Sequence, residues 1–208
     1  MQDLNTLIAF TTASVMLAFA PGPDNIFVLT QSMVYGRSAG FKITLGLCTG
    51  LIVHTSIVAF GVSAIFQTSI LAFSILKYLG ALYLLYLAWM AFRASAAKID
   101  TSKNRQMTSR ELYRRGIIMN ITNPKVSIFF MAFLPQFTDT SRGNITVQLF
   151  LLGFIFFIVT IGVFGLISQL AGFIGKYLSK SEKAEKALNI LAGTVFAALA
   201  VKLALTRQ

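Results

Sequence analysis

Residues 19–29 read FAPGPDNIFVL and residues 122–127 read TNPKVS. Each motif interrupts a stretch that is otherwise apolar enough to be membrane helix. Proline lacks the N–H that bonds the carbonyl four residues back, and its ring clashes with that carbonyl. Pro23 therefore frees the carbonyl of Phe19, Pro124 that of Asn120, and Pro21 that of Leu17. In lipid no water takes up such acceptors, so a broken helix is tolerated only where its ends meet protein or line a cavity.

The surrounding composition sets that environment. The chain has 208 residues, 56% of them hydrophobic and 12% charged, with a mean hydropathy of +0.74. A soluble domain is nearer to about 45–50% apolar and 25% charged. Six apolar stretches, 7–35, 40–66, 69–92, 116–137, 146–175 and 185–205, each approach or exceed the roughly 20 residues that cross the hydrocarbon. Barrel strands would alternate with period 2, and no such alternation is present, so the spans are helices. The expected fold is an all-α polytopic membrane protein. The start MQDLNTLIAF has no basic residue, so it reads as the approach to a retained first helix and not as a cleavable signal.

Charge gives the orientation. Of 18 Lys and Arg residues, 13 fall in three loops: Arg37 and Lys42; then Arg93, Lys98, Lys103, Arg105, Arg110, Arg114 and Arg115; then Lys176, Lys180, Lys183 and Lys186. Basic loops stay in the cytoplasm, where they meet anionic lipid, and this places both termini outside. The net charge of +11 is thus a topological signal and not a nucleic-acid footprint.

Two sets of three helices flank the polar stretch. The first repeat covers 1–95, a basic cytoplasmic linker 96–112, and the second repeat 113–208. An odd number of helices per half gives the halves opposite orientations, so they form inverted repeats with helices 1 and 4 broken at corresponding depths. LKYLGALYLLYLAWMAF (76–92) and LNILAGTVFAALAVKLA (188–204) share leucine at 76/188, 79/191 and 87/199 and alanine at 88/200, in keeping with duplication. Pro135, near the end of helix 4, reads as a simple kink.

Asp24 is the one carboxylate of seven that falls at membrane depth; Asp3, Asp100, Glu111, Asp139, Glu182 and Glu185 lie in loops or at ends. A central Asp or Lys costs about 2.5–3.5 kcal/mol to insert, so such residues face the bundle interior and are functional candidates. Aligning the repeats puts Asp24 opposite Lys125, each directly after the shared proline. The two either pair with each other or divide a substrate between them. His54, the sole histidine, reads first as a packing residue and second, with Asp24, as a proton-coupling group. Gly46 and Gly50 in GLCTG allow close helix contact within the bundle, where Cys48 is a packing residue. Tyr78, Tyr83, Tyr86 and Trp89 read as interface belt and packing. No carboxylate pair, HExxH, CxxC, GxSxG or phosphate loop is present, which leaves no catalytic residue, metal site or cofactor to expect.

These same segments, APGPDNIFVLTQSMVYGRSAGFKITLGLCTG, LKYLGALYLLYLAW and NITNPKVSIFFMAFLPQF, resemble the LysE/RhtB family, the lysine exporter superfamily with its homoserine/threonine-exporter branch. The resemblance covers essentially the whole chain. It implies efflux of amino acids across the bacterial inner membrane, driven by the proton gradient. It also places Pro21, Gly22, Pro23, Asp24, Asn25, Asn123, Pro124 and Lys125 in the translocation core. An amino-acid zwitterion suits such a site, with Asp24 and freed carbonyls for its ammonium, and Lys125 and helix N–H groups for its carboxylate. Homoserine, threonine, leucine and other neutral amino acids stand equal as substrates. The alternative is an uncoupled channel for small zwitterionic metabolites.

Overall fold

The computed structural model describes residues 3–68, 70–93, 107–178 and 182–205. Among these residues there is no strand. The helices are α1 (Leu4–Phe19), α2 (Pro23–Tyr35), α3 (Arg37–Thr68), α4 (Ile70–Arg93), α5 (Ser109–Thr122), α6 (Pro124–Ile128), α7 (Ile145–Leu178) and α8 (Glu182–Leu205). Residues 96–106 of the expected linker lie outside the described residues. The helix after it begins earlier than the apolar pattern suggests, because Thr108 and Glu111 form a reciprocal capping box. The Thr108 N–H donates to Glu111 Oε2 at 2.6 Å and the Glu111 N–H to Thr108 Oγ1 at 3.3 Å.

Polarity runs from an apolar exterior to a polar interior. Large exposed side chains such as Ile8, Ile57, Phe60, Leu82, Phe154 and Leu205 are hydrophobic, while Ser14, Asp24, His54, Asn120, Lys125 and Thr160 are buried. Such an arrangement suits hydrocarbon as solvent. Two unbroken helical segments, Arg37–Gly61 and Ile145–Ala171, are long and apolar enough to cross it, with mean hydropathies of 1.9 and 2.8. Among the described residues two bent pairs are apolar and long enough only when each is taken together: α1 with α2, bent by 59°, and α5 with Pro124–Phe137, bent by 51°.

Proline chemistry explains each bend. Ala20 caps α1 in an extended conformation (φ −57°, ψ 123°), and Gly22 (φ −170°, ψ 176°) leads into Pro23 at the start of α2. Asn123 (φ −76°, ψ 108°) leads into Pro124 in the same way, since a residue before proline is pushed out of the helical region. Pro135 adds a milder distortion: residues 129–133 widen into a π-turn, with the Leu134 N–H bonding the Phe129 carbonyl, before a 3₁₀ turn at Leu134–Phe137.

α3 is the central strut. It packs along α5 and α7, α2 sits against both α3 and α7, and α4 pairs lengthwise with α8. Glycine makes the α3–α5 crossing close enough for backbone contact: a methyl on Gly46 would collide with the Tyr113 carbonyl oxygen, and one on Gly116 with that of Ile43. Cys48 is buried beside this seam. On the other side of the breaks, Phe10, Phe129, Phe130, Phe133, Phe137 and Phe156 form a buried cluster with ring centroids as close as 4.9 Å. The α4 aromatics face outward, with Tyr78, Tyr86 and Trp89 about half exposed, as a belt or packing role requires and a ligand cage does not.

Gly46→Ala should therefore cost about 1–3 kcal/mol of stability, the usual penalty of overpacking. Gly61→Ala, where an added methyl meets nothing within 4 Å, should leave stability unchanged or slightly raised. Thermal unfolding in detergent checks both, and equal melting temperatures would remove the α3–α5 contact from the account.

Candidate functional site at the two helix breaks

The breaks meet inside the bundle. Lys125 starts at the second break and reaches the first: its ammonium donates to the Ala20 carbonyl at 2.9 Å and more weakly to that of Leu17 at 3.5 Å. Asn25 Nδ2 donates to the Ala18 carbonyl at 2.7 Å. The carbonyls that helix α1 gives up are thus taken by side chains from beyond the proline, at Leu17, Ala18 and Ala20 rather than at Phe19. At the second break, the Asn120 carbonyl freed by Pro124 receives His54 Nε2 at 3.1 Å. A carbonyl only accepts, so Nε2 carries the proton. Asn123 caps the new helix, its Oδ1 accepting from the Lys125 N–H at 3.0 Å.

Gly22 has a steric reason to lack a side chain, since a Cβ there would lie 3.0 Å from Lys125 Nζ. Pro23 and Pro124 are exposed on the outer face, and Pro21 is half-buried. They shape the site without lining it. Asp24, Asn25, Asn123 and Lys125 are buried within it.

Asp24 and Lys125 share this interior without forming an ion pair, their charged atoms staying more than 4.0 Å apart. Each charge instead has a helix end. Asp24 lies in the first turn of α2, where the dipole favours an anion, and Lys125 caps the last carbonyls of α1, where it favours a cation. Asn120, Asn123 and His54 are the other polar groups around the Asp24 carboxyl. Its Oδ1 is buried with no hydrogen-bond partner, as are Asn25 Oδ1, Asn120 Oδ1, Asn123 Nδ2 and Thr160 Oγ1.

Asp24, Asn120, Lys125 and Thr160, with Leu17, Ala18, Leu47, Leu51, Val126, Phe156 and Phe164, enclose a cavity of about 20 Å³. That is room for about one water molecule. The sequence points to the break residues but not to the α7 wall of this cavity. Asn120 could have been found as a polar residue one turn before Pro124. Nothing marks Thr160 among the other hydroxyl residues of the helices.

Two broken helices that meet around buried polar side chains are the kind of arrangement that membrane carriers use. The chain belongs to the LysE-type translocator family, whose profile matches residues 15–207. It is 35% identical over 201 residues, 96% of each chain, to a homoserine/homoserine lactone efflux protein of Salmonella typhimurium. It is 29% identical over 199 residues, 94% of each chain, to an uncharacterized membrane protein of Vibrio cholerae. A third relative, the uncharacterized membrane protein YrhP of Bacillus subtilis, is 30% identical over 212 residues, 98% of this chain and all of its own. No solved structure matches the chain. It is therefore a translocator of the LysE type.

His54 has one bond to make here, and its replacement distinguishes packing from proton coupling. His54→Leu removes one of the two donors to the Asn120 carbonyl, leaving the Asn123 N–H at 3.1 Å, and should cost about 0.5–1.5 kcal/mol. His54→Gln supplies another N–H, and should recover part of that stability and keep transport. Loss of pH-driven transport in a stable His54→Gln protein would make His54 a coupling group instead.

Proposed function

We propose that the protein exports homoserine- or threonine-like or other neutral amino acids from the cytoplasm across the bacterial inner membrane, driven by the proton gradient. The observation that carries this reading is the meeting of two proline breaks around Asp24, beside a small cavity whose lining residues include buried polar groups without a hydrogen-bond partner. The efflux activity named for the Salmonella relative supports the substrate class. Broken helices at the midplane are how secondary carriers present backbone and charge to a polar substrate.

The architecture that goes with this function is six spans in two inverted repeats, 1–95 and 113–208. Each half supplies one bent pair, then one long helix (α3 or α7), then one of the mutually packed α4 and α8. Asp24 has the task of holding the substrate's ammonium or a coupling proton. Lys125, with Asn25, Asn123 and Gly22, holds the breaks open. The cavity, too small for a whole amino acid, suits a carrier closed between its two access states and argues against a continuous pore.

The test is a panel of radiolabelled amino acids in inside-out vesicles under an imposed pH difference. Accumulation against a gradient supports coupled export; equilibration alone supports the channel. Asp24 makes no ion pair, so Asp24→Asn should stay folded while export falls by about tenfold or more, the loss of a charged hydrogen bond. Lys125→Met should destabilise by about 1–3 kcal/mol through its stranded carbonyls. Wild-type export by the Asp24→Asn/Lys125→Met double variant would refute the role given to Asp24.

Orientation is tested separately. A reporter that is active only in the cytoplasm, fused after Gln208, should be silent, and clear activity there would reverse the assignment of both termini to the periplasmic side.

A further inference from the structure

Hydroxyl side chains in these helices turn back onto their own backbone. Among the buried ones, Ser14, Thr44, Thr55 and Ser168 each donate to the carbonyl four residues earlier, at 2.8–2.9 Å. Thr160, in the middle of α7, does not: its hydroxyl is buried with no partner. Ser32 is also unpartnered but lies away from the cavity. Thr160 lines the same void as Asp24 and Asn120, whose Oδ1 atoms are buried and unpartnered as well. Three residues on three different helices, α2, α5 and α7, thus line one small cavity, and each carries a buried oxygen without a hydrogen-bond partner. Lys125, the cation beside them, directs its ammonium at Ala20 and Leu17.

We propose that this cavity is the seat of the substrate's primary ammonium group, held by Asp24 Oδ1, Asn120 Oδ1 and Thr160 Oγ1, and that the protein recognises its substrate through that ammonium without needing a free carboxylate. This deepens the export reading above and rests on it. A primary ammonium carries three N–H donors, one for each oxygen. The cavity of about 20 Å³ admits a group the size of water and no more of the substrate while it stays closed. A carboxylate would meet oxygens here, and the nearby cation is already bonded to the carbonyls of α1. The other walls, Leu47, Leu51, Phe156 and Phe164, are apolar, so none of them competes for the ammonium's N–H donors. The substrate class is therefore small primary ammonium compounds in which the carboxylate is dispensable: neutral amino acids together with their esters and amides. N-acylated amino acids and hydroxy acids lack the required group.

Thr160 is a specificity residue in this account, and its replacement is clean because the hydroxyl has no partner to lose. Thr160→Val keeps the branched shape and should raise the KM for the amino acid exported in the panel about tenfold, the effect of one hydrogen bond to a charged group. The melting temperature of the unliganded protein should not move, and Thr160→Ser should restore the wild-type KM. The methyl ester of the exported amino acid should compete with it, and its N-acetyl derivative should not. A measurement independent of transport uses purified protein: methylammonium should raise the melting temperature, tetramethylammonium, which has no N–H, should not, and Thr160→Val should abolish the methylammonium response. Equal competition by the ester and the N-acetyl derivative overturns the seat, and so does a Thr160→Val protein with wild-type KM and wild-type methylammonium response. If no amino acid is exported, the transport reading fails while the methylammonium measurement still decides the seat.

Discussion

Removing an amide hydrogen from a helix in hydrocarbon leaves a carbonyl with no water to turn to, and this protein does so in each half of its chain. Everything polar in the interior follows from how those carbonyls are satisfied. The end of α1 is closed by Lys125 and Asn25, and the end of α5 by the Asn123 N–H together with His54. Because Lys125 comes from the second break and caps the first, the two breaks are tied into one unit. His54 ties α3 to the same unit. A carbonyl left without a partner in such a place costs about as much as the whole net gain from a typical hydrogen bond, or more, so these contacts fix where the broken helices must sit.

The same geometry explains how two buried charges coexist without pairing. Each helix end carries roughly half an elementary charge. Asp24 at the start of α2 and Lys125 at the end of α1 are each opposite in sign to the terminus they occupy. A direct ion pair would saturate the carboxylate. Separation leaves Asp24 Oδ1 unpartnered in a residue that lines a small cavity, at the cost of burying an unsatisfied acceptor. Native proteins keep few such groups, and those they keep call for a functional account.

Packing on the two sides of the breaks differs in kind. On one side the aromatic cluster of Phe10, Phe129, Phe130, Phe133, Phe137 and Phe156 fills space with interlocking rings. On the other, α3 meets α5 through Gly46 and Gly116, and a methyl on Gly40 would collide with the Ser32 and Ser168 hydroxyls. Rings are large and lock together, whereas glycine seams are smooth and let helix backbones approach. Phe156 belongs to the aromatic cluster and also to the cavity wall, so the two share a side chain.

The sequence by itself determined what can be read locally. Apolar length specifies helices in a membrane, proline specifies where two of them bend, and the scarcity of charge at depth singles out Asp24 and Lys125. Capping shifted one boundary, because Thr108 and Glu111 start a helix before its apolar stretch begins. Only the tertiary structure decided what each polar group does, since hydrogen-bond partners are set by which helices touch. Lys125 reaches back more than a hundred residues to Ala20, and His54 forward to Asn120. Thr160 was not legible at all: a threonine in an apolar helix ordinarily bonds its own backbone, and its composition is the same whether it does so or faces a cavity. That distinction depends on a side-chain rotation set by tertiary packing, and no local pattern in α7 encodes it.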